Sequence, residues 1–465
     1  MAGLNQVPVE VLENIIQWTL TSKAGRLAAV HPTWQSIIEK TTFQEISIES
    51  WELSIAFGVF RQRPERFGLV RRLIYRLVLP PYTAADCKVM ETGQDRFKND
   101  LVFSKYMKQL FSYLVLWPPT GRTLELQLYP YSPNDRRCLI GNKWHRYFYG
   151  PVRGDLLHNR SHGSALELYM KDCEAAPAVT KLTLRDDCER YIAVTGFDCM
   201  FRTFTGLRDI DVRFWDYYKT RQAALRRSNH RAMGKALDNM PSSVGSMRFY
   251  VKYYTPADQR YDGQRVCQGD ESDPLTTAYR KATQQMTIVD AHGLLGTPEL
   301  FWPKKLSADS PEPVWPRLKY MELYYHILNP SGEWLFEPDS TMSPRQQADL
   351  PLHGLPAKYT PEEDMHPFQN RYTATQEKMD DFYSAVAKAV ANMPKLAYLR
   401  LQAITYWSGN IAPFHVFEFS TDGRTGRATW SGTPPFEPGA DVLEAWRKMA
   451  DKRGLLISLE SKKSK

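Results

Sequence analysis

Leu207-Arg208-Asp209-Ile210-Asp211-Val212-Arg213 places apolar side chains three and then two positions apart, with charged residues between them. The closing alternation has the period of a strand. It puts Ile210 and Val212 on one face and Asp211 and Arg213 on the other. The same spacing recurs at Val179-Leu182-Leu184, Val244-Met247-Phe249-Val251, Leu318-Met321-Leu323 and Leu396-Leu399-Leu401. Several of these segments follow a breaker, as at Gly206, Pro316 and Pro394. Between them the apolar spacing becomes helical, over 97–116, 222–240, 275–292 and 375–393. Strand and helix units in alternation predict an α/β chain, with an α+β arrangement as the alternative.

This alternation resembles a degenerate leucine-rich repeat array. The intervals between Val179, Leu207, Val244, Leu318 and Leu396 grow along the chain, and all but the first exceed the ~20–29 residues of a regular repeat. The array is therefore expected to be irregular. Two long insertions interrupt it: 255–274, rich in Asp and Gly, and 329–372, rich in Pro, both read as loops. Near the end, Phe414 to Ser420 and Thr425 to Ser431 alternate around Thr-Asp-Gly-Arg, a hairpin signal, and a last helix follows from Ala440.

Length and composition set limits. The 465 residues exceed what a single core usually holds, so a small module with an extended array is natural. Hydrophobic residues at 43% and charged residues at 24% place the chain among ordinary globular proteins. The net charge of +8 is spread along the chain, apart from the basic C-terminus at 455–465, which is expected to be a solvated tail. The six cysteines lie far apart without a C-x-x-C pair, which reads as free thiols in a reducing compartment, cytoplasm or nucleus. No apolar run approaches the length of a membrane span. Phosphate-cradling, dinucleotide-binding and Gly-x-Ser-x-Gly motifs do not occur. His158 and His162 stand four apart without the intervening Glu of a zinc protease. No cofactor or metal is expected.

The first 45 residues read differently. Pro8 suits a first helical turn, and Val11, Leu12, Ile15 and Ile16 form a helical stripe. Leu20 ends that helix, a short second one carries Leu27 and Val30, and His31-Pro32 breaks the chain. Trp34, Ile37 and Ile38 form the stripe of a third helix. Three such short helices need a partner surface or a neighbouring domain to hold them.

In order, spacing and residue type, Val7-Pro8, Glu10, Val11-Leu12, Ile15-Ile16, Leu27, Val30 and Trp34 resemble the F-box. The run from Trp34 through Glu39-Lys40 and Phe43 to Ile48 is similar to filamentous-fungal F-box proteins, with further echoes at Leu69–Leu73 and from Leu124. Two positions depart from the pattern: Val7 replaces the usual leucine, and His31 stands where Cys or Ser is common. The resemblance implies an F-box at 1–45 and an irregular leucine-rich-repeat-like region at 46–454. It also implies that Val7, Pro8, Leu12, Ile16, Leu20, Leu27, Val30 and Trp34 include the surface that meets the Skp adaptor, and through it a cullin scaffold.

Nearly every strand-like segment runs into aromatic residues, among them Trp215, Tyr218, Tyr254, Tyr325 and Trp407. If the strands are parallel, these rings line one rim, where Tyr and Trp grip protein partners. On the face opposite the core, Arg185, Arg213, Arg248, Lys252 and Arg400 outnumber Asp211 and Glu322, which suggests an acidic or phosphorylated substrate. The expected role is that of a non-catalytic substrate receptor in a cullin-based ubiquitin ligase. A cytosolic enzyme with an unrecognised site remains an alternative, as does a nucleic-acid binder using aromatic and basic residues.

Overall fold

The computed structural model describes residues 8, 10–11, 13–14, 28–29, 31–83, 85–86, 89–118, 123–135, 164–170, 174–184, 190–216, 223–253, 265–268, 271–305, 311–338, 371–404 and 415–463. Pro32 opens α1 (Pro32–Thr42), and the His31 imidazole caps it by accepting the Thr33 N–H at 3.2 Å. The chain then passes through Phe43 into β1 (Glu45–Glu49). There follow α2 (Leu53–Gln62), β2 (Arg72–Val78), α3 (Gly93–Val115) and β3 (Leu124–Tyr131). A reciprocal capping box of Thr92 and Asp95 fixes the start of α3.

Beyond these lie the short β4 (Ala165–Leu166), β5 (Val179–Leu184), the short β6 (Tyr191–Ile192), α4 (Val194–Thr203), β7 (Asp209–Asp216), α5 (Ala223–Asp238) and β8 (Ser246–Tyr253). Next come α6 (Pro274–Thr283), β9 (Ile288–Leu295), β10 (Tyr320–His326), β11 (Phe336–Pro338) and β12 (Arg371–Ala374). The chain closes with α7 (Gln376–Val390), β13 (Tyr398–Ile404), β14 (His415–Thr421), β15 (Thr425–Gly432), α8 (Ala440–Arg453) and β16 (Leu456–Lys463).

Twelve of these strands form one sheet in the order β1-β2-β3-β5-β7-β8-β9-β10-β13-β14-β15-β16. Its order follows the chain. From β1 to β13 every pairing is parallel. Strand β14 runs antiparallel to both neighbours, and β16 returns parallel to β15. The molecule is thus mixed α/β with a large, mainly parallel sheet and, among the described residues, eight α-helices. Helices α4, α5 and α6 pack in sequence against one another, and α7 against α8.

One face of the sheet supplies the core. Leu73, Tyr75 and Leu77 of β2, Ile210, Val212 and Phe214 of β7, Met247, Phe249 and Val251 of β8, and Met321, Leu323 and Tyr325 of β10 are all buried. Each such side chain contributes about 1.5–3 kcal/mol relative to exposure. Their alternating neighbours stand on the other face.

Two expectations are corrected here. The stretch 275–292 is not one helix: α6 ends at Thr283, and Ile288 begins β9. The gap between Val244 and Leu318 therefore carries a full strand. The basic C-terminus is not a solvated tail either, because Leu456–Lys463 pairs in parallel with β15 as the sheet's last strand. Of the two loops read in the sequence, the part of 329–372 that is described includes β11, paired with β12.

At the N-terminal end, α1 is fastened to the first units of the sheet. Arg66 forms an ion pair with Glu39 at 2.6 Å, and its guanidinium lies 5.3 Å from the Phe43 ring. Phe43 packs edge-on against Phe60 of α2. Within β9, Gly293 has φ +81° and is the extra residue of a bulge: His292 pairs with Tyr324, while Leu294 pairs with Tyr325. A Cβ at 293 would stand 1.9 Å from the Val251 carbonyl oxygen, so the neighbouring strand leaves room only for glycine.

Candidate functional site

The register of the parallel strands sets the side chains of the non-core face into rows. One row runs Thr183, Asp211, Arg248, Asp290, Glu322, Arg400 and Glu418 on successive strands from β5 to β14. On one side of it lie Arg213, Tyr250, His292, Tyr324 and Gln402. On the other lie Lys181, Asp209, Ser246, Ile288, Tyr320, Tyr398 and Ser420.

Adjacent strands lie ~4.8 Å apart, close to the stacking distance of flat side chains, so like shapes in register stack. The Arg213 guanidinium lies 4.3 Å from the Tyr250 ring centroid. Tyr250 stacks on His292 at 4.4 Å with planes 24° apart, and His292 on Tyr324 at 4.1 Å and 11°. A second stack joins Tyr320 to Tyr398 at 5.2 Å. Ring faces are spent on one another, and ring edges and hydroxyls border the central row.

The central row is threaded by ion pairs. Arg248 bridges Asp211 at 3.8 Å and Asp290 at 3.5 Å. His292 Nε2 donates to Asp290 at 2.9 Å. Arg400 meets Glu418 at 3.4 Å and the Gln402 amide oxygen at 3.0 Å. The Glu322 carboxylate accepts the Tyr320 hydroxyl. Partial burial raises the Asp211 carboxyl and lowers the Arg213 guanidinium from their usual values. Burial, aided by Asp290 for Tyr250 and by Glu322 for Tyr324, raises both phenols, which keep their protons at neutral pH.

The residues expected from the sequence fall in four groups. Val7, Leu12, Ile16, Leu20, Leu27 and Val30 lie outside the described residues, as do Tyr218, Tyr254, Trp407 and Arg185. So do the side chains of Trp215 and Lys252. Pro8 is exposed, and Trp34 is half-buried in α1. Arg213 and Arg248 do stand on the non-core face with Asp211, Glu322 and Arg400.

Tyr325 does not belong to a binding surface. It is fully buried at 0% exposure, because it shares the parity of Leu323, and its neighbour Tyr324 takes the open side. Over the rows described, Asp209, Asp211, Asp290, Glu322 and Glu418 stand with Lys181, Arg213, Arg248 and Arg400, and each of those cations has a partner.

Two buried ionic clusters, unseen in the sequence, sit where strands run out into loops. In the first, Asp216 ends β7, Asp273 caps α6, and Arg226 and His230 project from α5. His230 donates from Nδ1 to Asp273 at 2.9 Å and from Nε2 to Asp216 at 3.2 Å, while Arg226 Nε donates to Asp216 at 2.8 Å. Burial opposes charge on the imidazole, but the two carboxylates outweigh it and push its pKa up to about 9. In the second, Arg190 pairs with Glu91 and with Asp135, at 3.1 Å from the latter, and Tyr82 donates its hydroxyl to Asp135 at 2.6 Å. Charges this deep are retained only when paired. Both clusters are enclosed and fasten loops.

Among the described residues, no group of three or more His, Cys, Asp or Glu side chains is placed to hold a metal ion, and no helix is long and apolar enough to cross a membrane. Comparison with curated proteins found no match. Residues 368–465, which hold β12 to β16 with α7 and α8, are similar to a family of unknown function (DUF6546).

Proposed function

We propose that this chain is a substrate-recognition subunit of an SCF-type cullin-RING ubiquitin ligase. Its residues 1–45 form an F-box that meets the Skp adaptor, and the irregular leucine-rich-repeat-like array that follows holds a protein substrate on its non-core face. The observation that carries this reading is the sheet itself. Strands in chain order with their core on one side display an ordered row of Tyr, His, Arg and carboxylate groups on the other. The fastening of α1 to α2 and the turn after it through Glu39, Arg66, Phe43 and Phe60 supports it further, because a receptor must hold its docking module at a fixed distance from its substrate face.

The mechanism is proximity. The chain itself breaks no bond; it raises the effective concentration of a substrate lysine near a charged conjugating enzyme. The reading places the protein in the cytoplasm or nucleus.

The test is a pull-down of the purified chain with the Skp adaptor, beside a Pro8→Ala/Ile16→Asp/Trp34→Ala variant. Binding by the intact chain, lost in a variant with unchanged circular dichroism, is the expected result. An intact, folded chain that leaves the adaptor in the supernatant overturns the proposal.

A further inference from the structure

We infer that the face of β7 to β14 receives an extended protein segment bearing arginine or lysine, and not an acidic or phosphorylated one. The inference rests on the receptor reading above for its biological role, but its chemistry comes from this face alone.

The whole chain carries a net charge of +8, yet the three rows described on this face lean the other way. From β7 to β14, Asp209, Asp211, Asp290, Glu322 and Glu418 stand against Arg213, Arg248 and Arg400, and Lys181, at the β5 end of the Asp209 row, is itself paired with Glu125 at 3.1 Å. A face of sign opposite to its protein's excess selects cationic partners by complementarity.

The arginines are already engaged. Arg248 is held between Asp211 and Asp290, Arg400 by Glu418 and Gln402, and Arg213 lies flat on Tyr250. A phosphate or carboxylate arriving here must first break one of these pairs. The carboxylates keep capacity, since each oxygen accepts more than one hydrogen bond. Glu322, beside Asp290 in register, is met by the Tyr320 hydroxyl and by no cation within ion-pair distance among the described residues.

The tyrosines complete the fit. The Tyr250–His292–Tyr324 stack and the Tyr320–Tyr398 stack border the carboxylate row on its two sides. Their ring edges offer apolar surface to the methylene stems of Arg or Lys, and their phenols offer acceptors. Rings locked by stacking lose little further freedom when a partner arrives, so less of the contact energy is spent on ordering.

The experiment is fluorescence anisotropy on the full chain. The probes are a labelled peptide of alternating arginine and serine, its phosphoserine form, its glutamate-for-arginine form, and a single-stranded oligonucleotide. The arginine peptide is expected to bind tightest. Glu322→Gln should weaken it about tenfold, the scale of one charge-assisted hydrogen bond. Tyr324→Ala should weaken it similarly, and Glu444→Gln, at an exposed position of α8, should leave it unchanged. Glu322→Lys should turn the preference toward the glutamate peptide. Far-ultraviolet circular dichroism confirms that each variant is folded.

Tighter binding of the phosphoserine peptide, the glutamate peptide or the oligonucleotide overturns the inference. So does an arginine peptide indifferent to Glu322→Gln, or the absence of peptide binding. The adaptor pull-down separates the two proposals. Loss of adaptor binding with arginine preference intact removes the ligase role alone, and the converse removes this inference alone.

Discussion

Replacing His230 with Gln should remove a pH-dependent contribution to stability whose size can be calculated from the Asp216–His230–Asp273 cluster. The imidazole pKa rises from 6.5 unfolded to about 9 folded. A raised folded pKa means stabilisation that is complete below the unfolded value and disappears as pH climbs through the folded one. The difference corresponds to about 3 kcal/mol. The assay is urea unfolding followed by tryptophan fluorescence, for wild type and His230→Gln, across pH 6 to 10. Lysines, tyrosines and other groups titrate in both proteins and cancel in the difference. The advantage of wild type over variant should be full at pH 6 and shrink by about 3 kcal/mol toward pH 10. At the acid end the logic reverses. Asp216 and Asp273 are held below 3.8, so what they contribute is present above that value and fades as pH falls through their lowered ones. A wild-type advantage that stays constant from pH 6 to 10 would show that His230 is not a cation in the folded protein, and the reasoning would fail.

Gly293→Ala should destabilise by at least about 3 kcal/mol, the sum of a left-handed backbone and a collision with the Val251 carbonyl. Gly245→Ala, with nothing within 4 Å of the new methyl, should shift the urea midpoint by little. Arg190→Met leaves Glu91 and Asp135 buried without a counter-charge and should cost about 3–5 kcal/mol in the same assay. Adding Glu91→Gln and Asp135→Asn should recover part of that loss, and a triple variant no better than the single one would refute the pairing. Truncation after Leu455 removes the strand paired with β15 and should cost about 2 kcal/mol, measured as a lower midpoint of thermal unfolding.

Period-two patterning carried much of this fold. Ile210 and Val212 inward with Asp211 and Arg213 outward is legible from residue types alone, because one face of each strand must be buried. Strand β9 was not legible. Ile288-Val289-Asp290-Ala291-His292 follows α6 closely, and its small Ala291 and bulged Gly293 blur the alternation that marks a strand. The aromatic pairs misled for a related reason. Of Tyr324 and Tyr325 only one can face outward, and counting back to Leu323 selects Tyr324. The stack of Tyr250, His292 and Tyr324 depends on register between strands distant in sequence, which no local pattern encodes. At the C-terminus, Lys462 and Lys463 concealed a strand, although lysine on an outermost strand is a common guard against unwanted pairing.

The agreement between sheet order and chain order bears on how the molecule is made. From β2 to β16, each strand of the large sheet lies beside one that left the ribosome before it. No strand needs a partner synthesised after it to join the sheet, although β10 and β13 pair across the long 329–372 insertion. The chain can lengthen its sheet one unit at a time during synthesis, with the growing edge as the only unpaired one on that side. The direction of translation and the direction of assembly are then the same.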